Sequence, residues 1–259
     1  MAGSLIEIEA VSRDFVSQDG GTLRALDAID LAIREHELVS LVGPSGCGKS
    51  TLLRLIAGLL PATTGRIRVN GEVVAEPRED TGLVFQSPTL LPWATIEDNV
   101  LFPLRMLGRP VTEASRAAAR ELLTLVGLEG FETRLPAELS GGMQQRAAIC
   151  RALMPEPDIL LMDEPFGALD ALTREEMSLE LLRIRRERPK TIVFVTHSIS
   201  EAVLLSSRVV VMSPRPGRIQ EVIDVPLPEP RHFSMESQDE FQACAQHIRA
   251  LIFGERAAA

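Results

Sequence analysis

The stretch that most constrains this chain is a strand, a glycine-rich turn and a helix start in immediate succession: Glu37–Val42, then Gly43-Pro-Ser-Gly-Cys-Gly48-Lys49-Ser50-Thr51, then Leu52–Gly58. It has the spacing GxxxxGK[ST]. Glycines at 43, 46 and 48 let successive backbone N–H groups turn toward one anion, and the helix start adds positive potential. Lys49 is placed to reach the β- and γ-phosphates of a nucleotide, and Ser50 to ligate Mg²⁺. Gly43, Pro44, Ser45, Gly46, Cys47, Gly48, Lys49, Ser50 and Thr51 are therefore the candidate nucleotide contacts, and the predicted fold class is α/β with a P-loop NTPase core.

The remaining pattern fits such a core. Leu38–Val42, Leu83–Phe85, Ile159–Met162, Thr191–Val195 and Val209–Met212 are short, nearly continuous apolar runs, as in parallel strands buried on both faces. Leu5–Glu9 and Leu31–Ile33 alternate instead, and Ile67–Val69 with Glu72–Val74 flank Asn70-Gly71, a type I′ hairpin signal. These predict an antiparallel β layer. Between Gln86 and Pro157 the signals are helical. Thr95-Ile-Glu-Asp98 reads as a capping box opening a helix that Gly108 and Pro110 end; Glu113–Val126 stops at Gly127; Gly141–Leu153 is closed by Pro155. The expected organisation is one domain over 1–259: residues 1–86 and 158–225 form the core with its antiparallel layer, 87–157 a helical subdomain, and 226–259 a stiff Pro226–Pro230 linker with a terminal helix over Gln238–Phe253.

Asp163 and Glu164 follow an apolar strand. An aspartate at that strand end can hold Mg²⁺ through water, and the next carboxylate can orient or deprotonate an attacking water. Acids also cap helices, so the pair alone is weak. Leu139-Ser-Gly-Gly142 discriminates more sharply. Ser140 sits at a helix N-cap position and two glycines leave the helix start open to an anion. Since one loop already cradles the nucleotide, a second anion-seeking helix start suits a γ-phosphate held by another subunit. An ordinary N-cap followed by a glycine turn is the other reading.

Composition narrows the partners. The chain has 259 residues, 45% hydrophobic and 24% charged, with net charge −9, which disfavours nucleic acid because phosphates require a basic surface. No apolar run approaches the roughly 18–20 residues that cross a bilayer. The opening MAGSLIEIEA lacks a secretory signal's basic start and apolar stretch. Cys47, Cys150 and Cys244 are odd in number and form no CxxC pair, in keeping with free thiols in a reducing compartment.

Taken in order, the phosphate loop, Gln86, LSGGMQQR, ILLMDEP and His197 make the chain resemble the ATP-binding subunit of an ABC transporter over nearly all its length. The resemblance implies an ABC ATPase fold and an ATP sandwich formed with a second copy of the chain. Gln86 then contacts Mg²⁺ and the lytic water, and Asp163 shares the metal with Ser50. Glu164, His197, Gln86 and Lys49 are the catalytic candidates. Ser140, Gly141 and Gly142 contact the other copy's nucleotide, and Asp170 in GALD lies in the segment that crosses the dimer interface. Phe15 matches the adenine-stacking aromatic; a core phenylalanine beside a strand is the alternative. Two departures stand out, Met143 where many relatives carry Gln and Ser198 where Asp often follows the histidine; neither removes a phosphate-contacting group.

The LLPW stretch at 90–93, FGALDALTR at 166–174 and MSPRPGRI at 212–219 resemble the nitrate/sulfonate/taurine group of importers. That implies permease chains as partners, an extracytoplasmic solute-binding protein indirectly, and a peripheral position on the cytoplasmic face of the inner membrane. Trp93 is a candidate anchor for a partner helix, unless packed internally. About 60 residues follow His197, too few for a full regulatory domain. Cys47 is expected to be a reactive, ATP-protected thiol unless its side chain points away. A non-transport ABC ATPase acting on nucleic acid or ribosomes is the alternative function; it calls for a basic surface, a second ATPase module or coiled-coil arms.

Overall fold

Residues 4–16 and 20–254 are described by the computed structural model. They fall in two compact units, Met1–Arg78 with Lys190–Ala259, and Glu79–Pro189. In the first unit, β1 (Ser4–Val16) and β2 (Thr22–Arg34) form a long antiparallel pair, while β4 (Thr64–Val69) pairs with the other edge of β1 and carries β5 (Glu72–Val73). Both strands of the first pair run well beyond the alternating segments read from sequence. The predicted hairpin turn is present: Asn70 and Gly71 have φ of 52° and 77°, the doubly positive pair that type I′ requires.

The same unit holds β3 (Leu38–Val42) between β8 (Thr191–Val195) and β9 (Arg208–Met212), parallel to both. Every residue of β3 and β8 is buried, which is why they read as unbroken apolar runs. Antiparallel β10 (Ile219–Asp224) adds to β9; it is not legible in the sequence because its apolar residues do not match its alternating burial, Glu221 falling on the partly buried face and Val222 on the exposed one. Helix α1 (Lys49–Ile56) leaves the phosphate loop, and the short α6 (Ile199–Leu205) follows β8. The terminal α7 (Asp239–Phe253) buries Phe241, Cys244, Ala245 and Ile248 against a core that includes Val203, Val209 and Val211. After the Pro226–Pro230 stretch, buried Arg231 donates through Nη1 to the carbonyls of Val203, Leu204 and Ser206, at 3.2, 3.2 and 2.5 Å, satisfying the open end of α6.

The second unit pairs β6 (Thr81–Val84) in parallel with β7 (Ile159–Asp163). The unit also holds α2 (Ile96–Met106), α3 (Glu113–Leu125), α4 (Gly141–Leu153) and α5 (Ala171–Glu187); α4 packs on β6, and α2 and α3 pack on α4. Thr95 caps α2 by accepting the Asp98 N–H at 3.1 Å. The reciprocal capping box belongs instead to Thr112 and Ser115 at the start of α3, each hydroxyl accepting the other's backbone N–H. Gly127, with φ 68°, follows the end of α3 in the left-handed conformation that stops a helix. Helix α5 was not foreseen: only Met177, Ser178 and Leu181 of its seventeen residues are buried, so it carries little apolar periodicity.

Candidate functional site

The phosphate loop is built by backbone geometry. Gly46 and Gly48 have φ of 76° and 104°, and Gly48 hands the chain directly into α1. A side chain at Gly48 would be strained by that φ and would also place its Cβ 2.5 Å from Leu26 Cδ2. Lys49 is almost wholly buried. Its Nζ donates to Gly43 O at 2.8 Å and Pro44 O at 3.1 Å, so the ammonium lies against the loop that it is expected to complement. A cavity of about 380 Å³ opens beside the loop, lined by Gly43, Pro44, Ser45 and His197 together with Ile252 and Phe253 from the end of α7.

Burial corrects the expectation for Cys47. Its residue is 1% exposed, and its sulfur lies 3.1 Å from where a Gly43 Cβ would stand and 3.7 Å from Lys49 Nζ. A reagent cannot approach that thiol while the loop keeps this shape. Among the described residues there are no disulfides; all three cysteines are free and buried, and desolvation pushes the Cys150 and Cys244 thiols above their ordinary range.

Also in this unit, exposed His197 sits between β8 and α6. The preceding Thr196 accepts the Ser198 N–H at 3.0 Å and donates to Glu201 at 2.5 Å; Ser198 in turn caps α6 by accepting the Glu201 N–H at 3.2 Å. Serine at 198 thus fulfils the capping role open to an aspartate there. Phe15 is half-buried on β1, with the Arg13 guanidinium 4.8 Å from its ring centroid, a cation–π contact on one side of the ring.

In the second unit, buried Asp163 ends β7 and Glu164 follows with φ 49°, a left-handed conformation that is strained for a residue bearing a side chain. Gln86 Nε2 donates to Glu164 Oε2 at 3.0 Å. Gln145, wholly buried in α4, donates to Phe85 O at 3.0 Å, immediately before Gln86. Gln145 is not among the residues that the motifs single out one by one; its place inside LSGGMQQR is the signal that the sequence carries for it. Ser140 is the N-cap of α4, accepting the Met143 N–H at 3.3 Å, while a Cβ at Gly141 would meet nothing within 4 Å. The helix start is therefore capped and still open to solvent. Asp170 caps α5 in the same way, bonded to the Thr173 N–H at 3.0 Å and hydroxyl at 2.7 Å. Trp93 projects outward, 76% exposed, from a segment pinned by Asn99 (Leu91 N and O) and by Arg151 (Pro88 O and Thr89 O), so it is not internally packed.

A glycine loop with a buried lysine at the carboxyl end of a parallel strand defines a P-loop nucleotide-binding protein. The chain belongs to the ABC transporter family, whose family model matches residues 26–167. It is 46% identical over 255 residues, 96% of each chain, to the taurine import ATP-binding protein TauB of Rhizobium johnstonii. It is 44% identical over 237 residues, 92% of each chain, to the aliphatic sulfonates import ATP-binding protein SsuB of Bacillus cereus. Among solved structures it resembles the ATP-binding cassette MJ0796 in a dimeric post-hydrolysis state bound to ADP and phosphate, with TM-score 0.78 and 33% identity, covering 86% of this chain and all of that one. The fold is that of an ABC ATPase, and the chain is a nucleotide-binding ATPase that pairs with a second cassette. Nothing favours the nucleic-acid alternative.

Proposed function

We propose that this ATPase subunit powers uptake of a sulfonate-type solute, taurine or an alkanesulfonate, through a separate permease on the cytoplasmic face of the membrane, with an extracytoplasmic binding protein delivering the solute. Support for the solute class comes from the named functions of relatives that match along nearly the whole chain. No helix among the described residues is long and apolar enough to cross a membrane, in keeping with a pathway supplied by other chains. Exposed Trp93 on its pinned segment is the anchor we assign to the permease contact.

The residue roles extend from the resemblance. Backbone N–H groups of Gly43–Thr51, with Lys49, bind the triphosphate. Ser50, Gln86 and Asp163 offer hydroxyl, amide and carboxylate oxygens, a donor set suited to Mg²⁺. That cation, when bound, supplies positive charge at the phosphates. Glu164, whose carboxylate accepts the Gln86 amide N–H at 3.0 Å, orients or deprotonates the attacking water, and this pair is the observation that carries the hydrolytic reading. His197 stabilises the developing γ-phosphate charge, Phe15 stacks on adenine, and Ser140, Gly141 and Gly142 present the α4 helix start to the nucleotide of the other copy, with Asp170 alongside. The test is uptake into proteoliposomes containing the subunit, its permease and its binding protein. ATP-dependent accumulation of taurine or methanesulfonate is expected; accumulation of nitrate alone would overturn the solute class.

A further inference from the structure

The segment Met212–Arg218 enters none of the roles above, yet it touches the phosphate loop at both ends. Arg215 donates through Nε and Nη2 to Gly46 O, at 3.2 and 3.1 Å. Gly217 packs so closely on Cys47 that a Cβ there would lie 1.9 Å from Cys47 O, so no other residue fits without moving the loop. At the opposite end, a Cβ on Gly43 would meet Met212 O at 2.7 Å. The segment is itself fixed. Ser213 N donates to Arg218 O at 2.9 Å and Arg218 N to Ser213 Oγ at 3.1 Å, while Gly217 N donates to Ala25 O and Asp27 N to Gly217 O, both at 2.9 Å. Arg218 also pairs with Asp27 through Nε at 2.9 Å, tying the segment to β2.

We infer that Met212–Arg218 is a brace that sets the shape of the phosphate loop, with Arg215 as the positioning residue that orients its peptide groups for nucleotide binding. The peptide unit is planar and trans, so a carbonyl and the following N–H point in opposite directions. Holding Gly46 O against Arg215 therefore fixes the direction of the Cys47 N–H, which donates to Pro44 O at 3.3 Å and closes the turn of the loop, and seating Cys47 O against Gly217 fixes that of the Gly48 N–H. An anion-binding loop depends on such N–H groups converging. Hydrogen bonds from a guanidinium are stronger than neutral ones and hold the Gly46 carbonyl more firmly than water would. The same brace keeps Cys47 buried.

The inference rests on the reading of Gly43–Thr51 as the ATP site, and the experiment separates the two. Arg215→Ala is compared with the unaltered full-length protein. In nucleotide-free samples, N-ethylmaleimide labelling is followed residue by residue by mass spectrometry. Labelling of Cys47 is expected to accelerate by about tenfold while Cys150 and Cys244 stay inert. ATP affinity is expected to fall about tenfold, with KM rising in parallel and kcat moving less than about threefold, and Arg215→Lys to fall between the two. If Arg215→Ala fails to fold, Arg215→Gln carries the same two measurements. Unchanged Cys47 labelling overturns the brace. Faster labelling with unchanged ATP affinity overturns its part in nucleotide binding. Failure of the unaltered protein to bind ATP would instead sink the functional reading beneath it.

Discussion

Gln86 Nε2 donates to Glu164 Oε2 at 3.0 Å, joining an exposed amide to a carboxylate held at φ 49°. The bond orients the carboxylate that is proposed to act on the attacking water. Gln145, through Phe85 O, steadies the backbone that carries the amide.

Glu164→Gln removes the proposed base and keeps the side chain's size. ATP binding should persist while turnover falls at least about a hundredfold, the scale of a lost general base. Phosphate release and light scattering check both halves: closed dimers should accumulate with ATP, and brisk hydrolysis would contradict the assignment.

Two-copy composition of the site can be read from mixtures. Lys49→Ala and Ser140→Ala homodimers should each be nearly inactive. Mixed dimers retain one site with both partners intact, so equal mixing should restore roughly a quarter of normal turnover. Because Ser140 also caps α4, Ser140→Ala should cost about 1 kcal/mol of stability, measured in urea. No recovery on mixing, with mixed dimers demonstrated, would refute the shared site.

Asp170 carries a pH prediction. The Thr173 N–H and hydroxyl hold its carboxyl below the ordinary 3.8 of an aspartate. A folded-state value lower than the unfolded one gives stabilisation that is full above the unfolded value and is lost as pH falls through the folded one. The melting-temperature advantage of the native chain over Asp170→Asn should therefore hold near neutrality and shrink below about pH 4. A constant difference down to pH 3 would remove the carboxylate's role as a charged cap.

Arg208 and buried Glu37 form a part-buried, bidentate pair, at 2.5 Å (Nε to Oε1) and 2.8 Å (Nη2 to Oε2), with side chains 14% and 7% exposed. Glu37 also accepts the Arg34 N–H at 2.8 Å, and Arg208 reaches Ala32 O at 2.7 Å. Arg208→Ala leaves a buried carboxylate without its cation and should cost about 3 kcal/mol, measured by chemical denaturation. A loss below about 0.5 kcal/mol would mean that water replaces the guanidinium.

Much of the architecture was legible because it is local. The phosphate loop, the Asn70-Gly71 turn and the buried strands follow from backbone conformations and burial patterns that a few consecutive residues impose. Helix α5 escaped because it is polar and half-exposed, and strand β10 because its apolar residues do not follow its two faces, Glu221 lying on the partly buried side and Val222 on the exposed one, so neither leaves the periodic imprint of a buried face.

By itself the sequence determined a strand–loop–helix able to hold phosphates, capped helix starts, and the kinship those motifs carry. Only the tertiary structure decided which distant groups meet. Arg215 reaches Gly46 across 169 positions and Gln86 reaches Glu164 across 78. It also hid Cys47, which sequence context marked as reactive. Backbone preference acts over a few bonds, whereas burial and hydrogen-bond partnership exist only once the packed chain brings remote segments together.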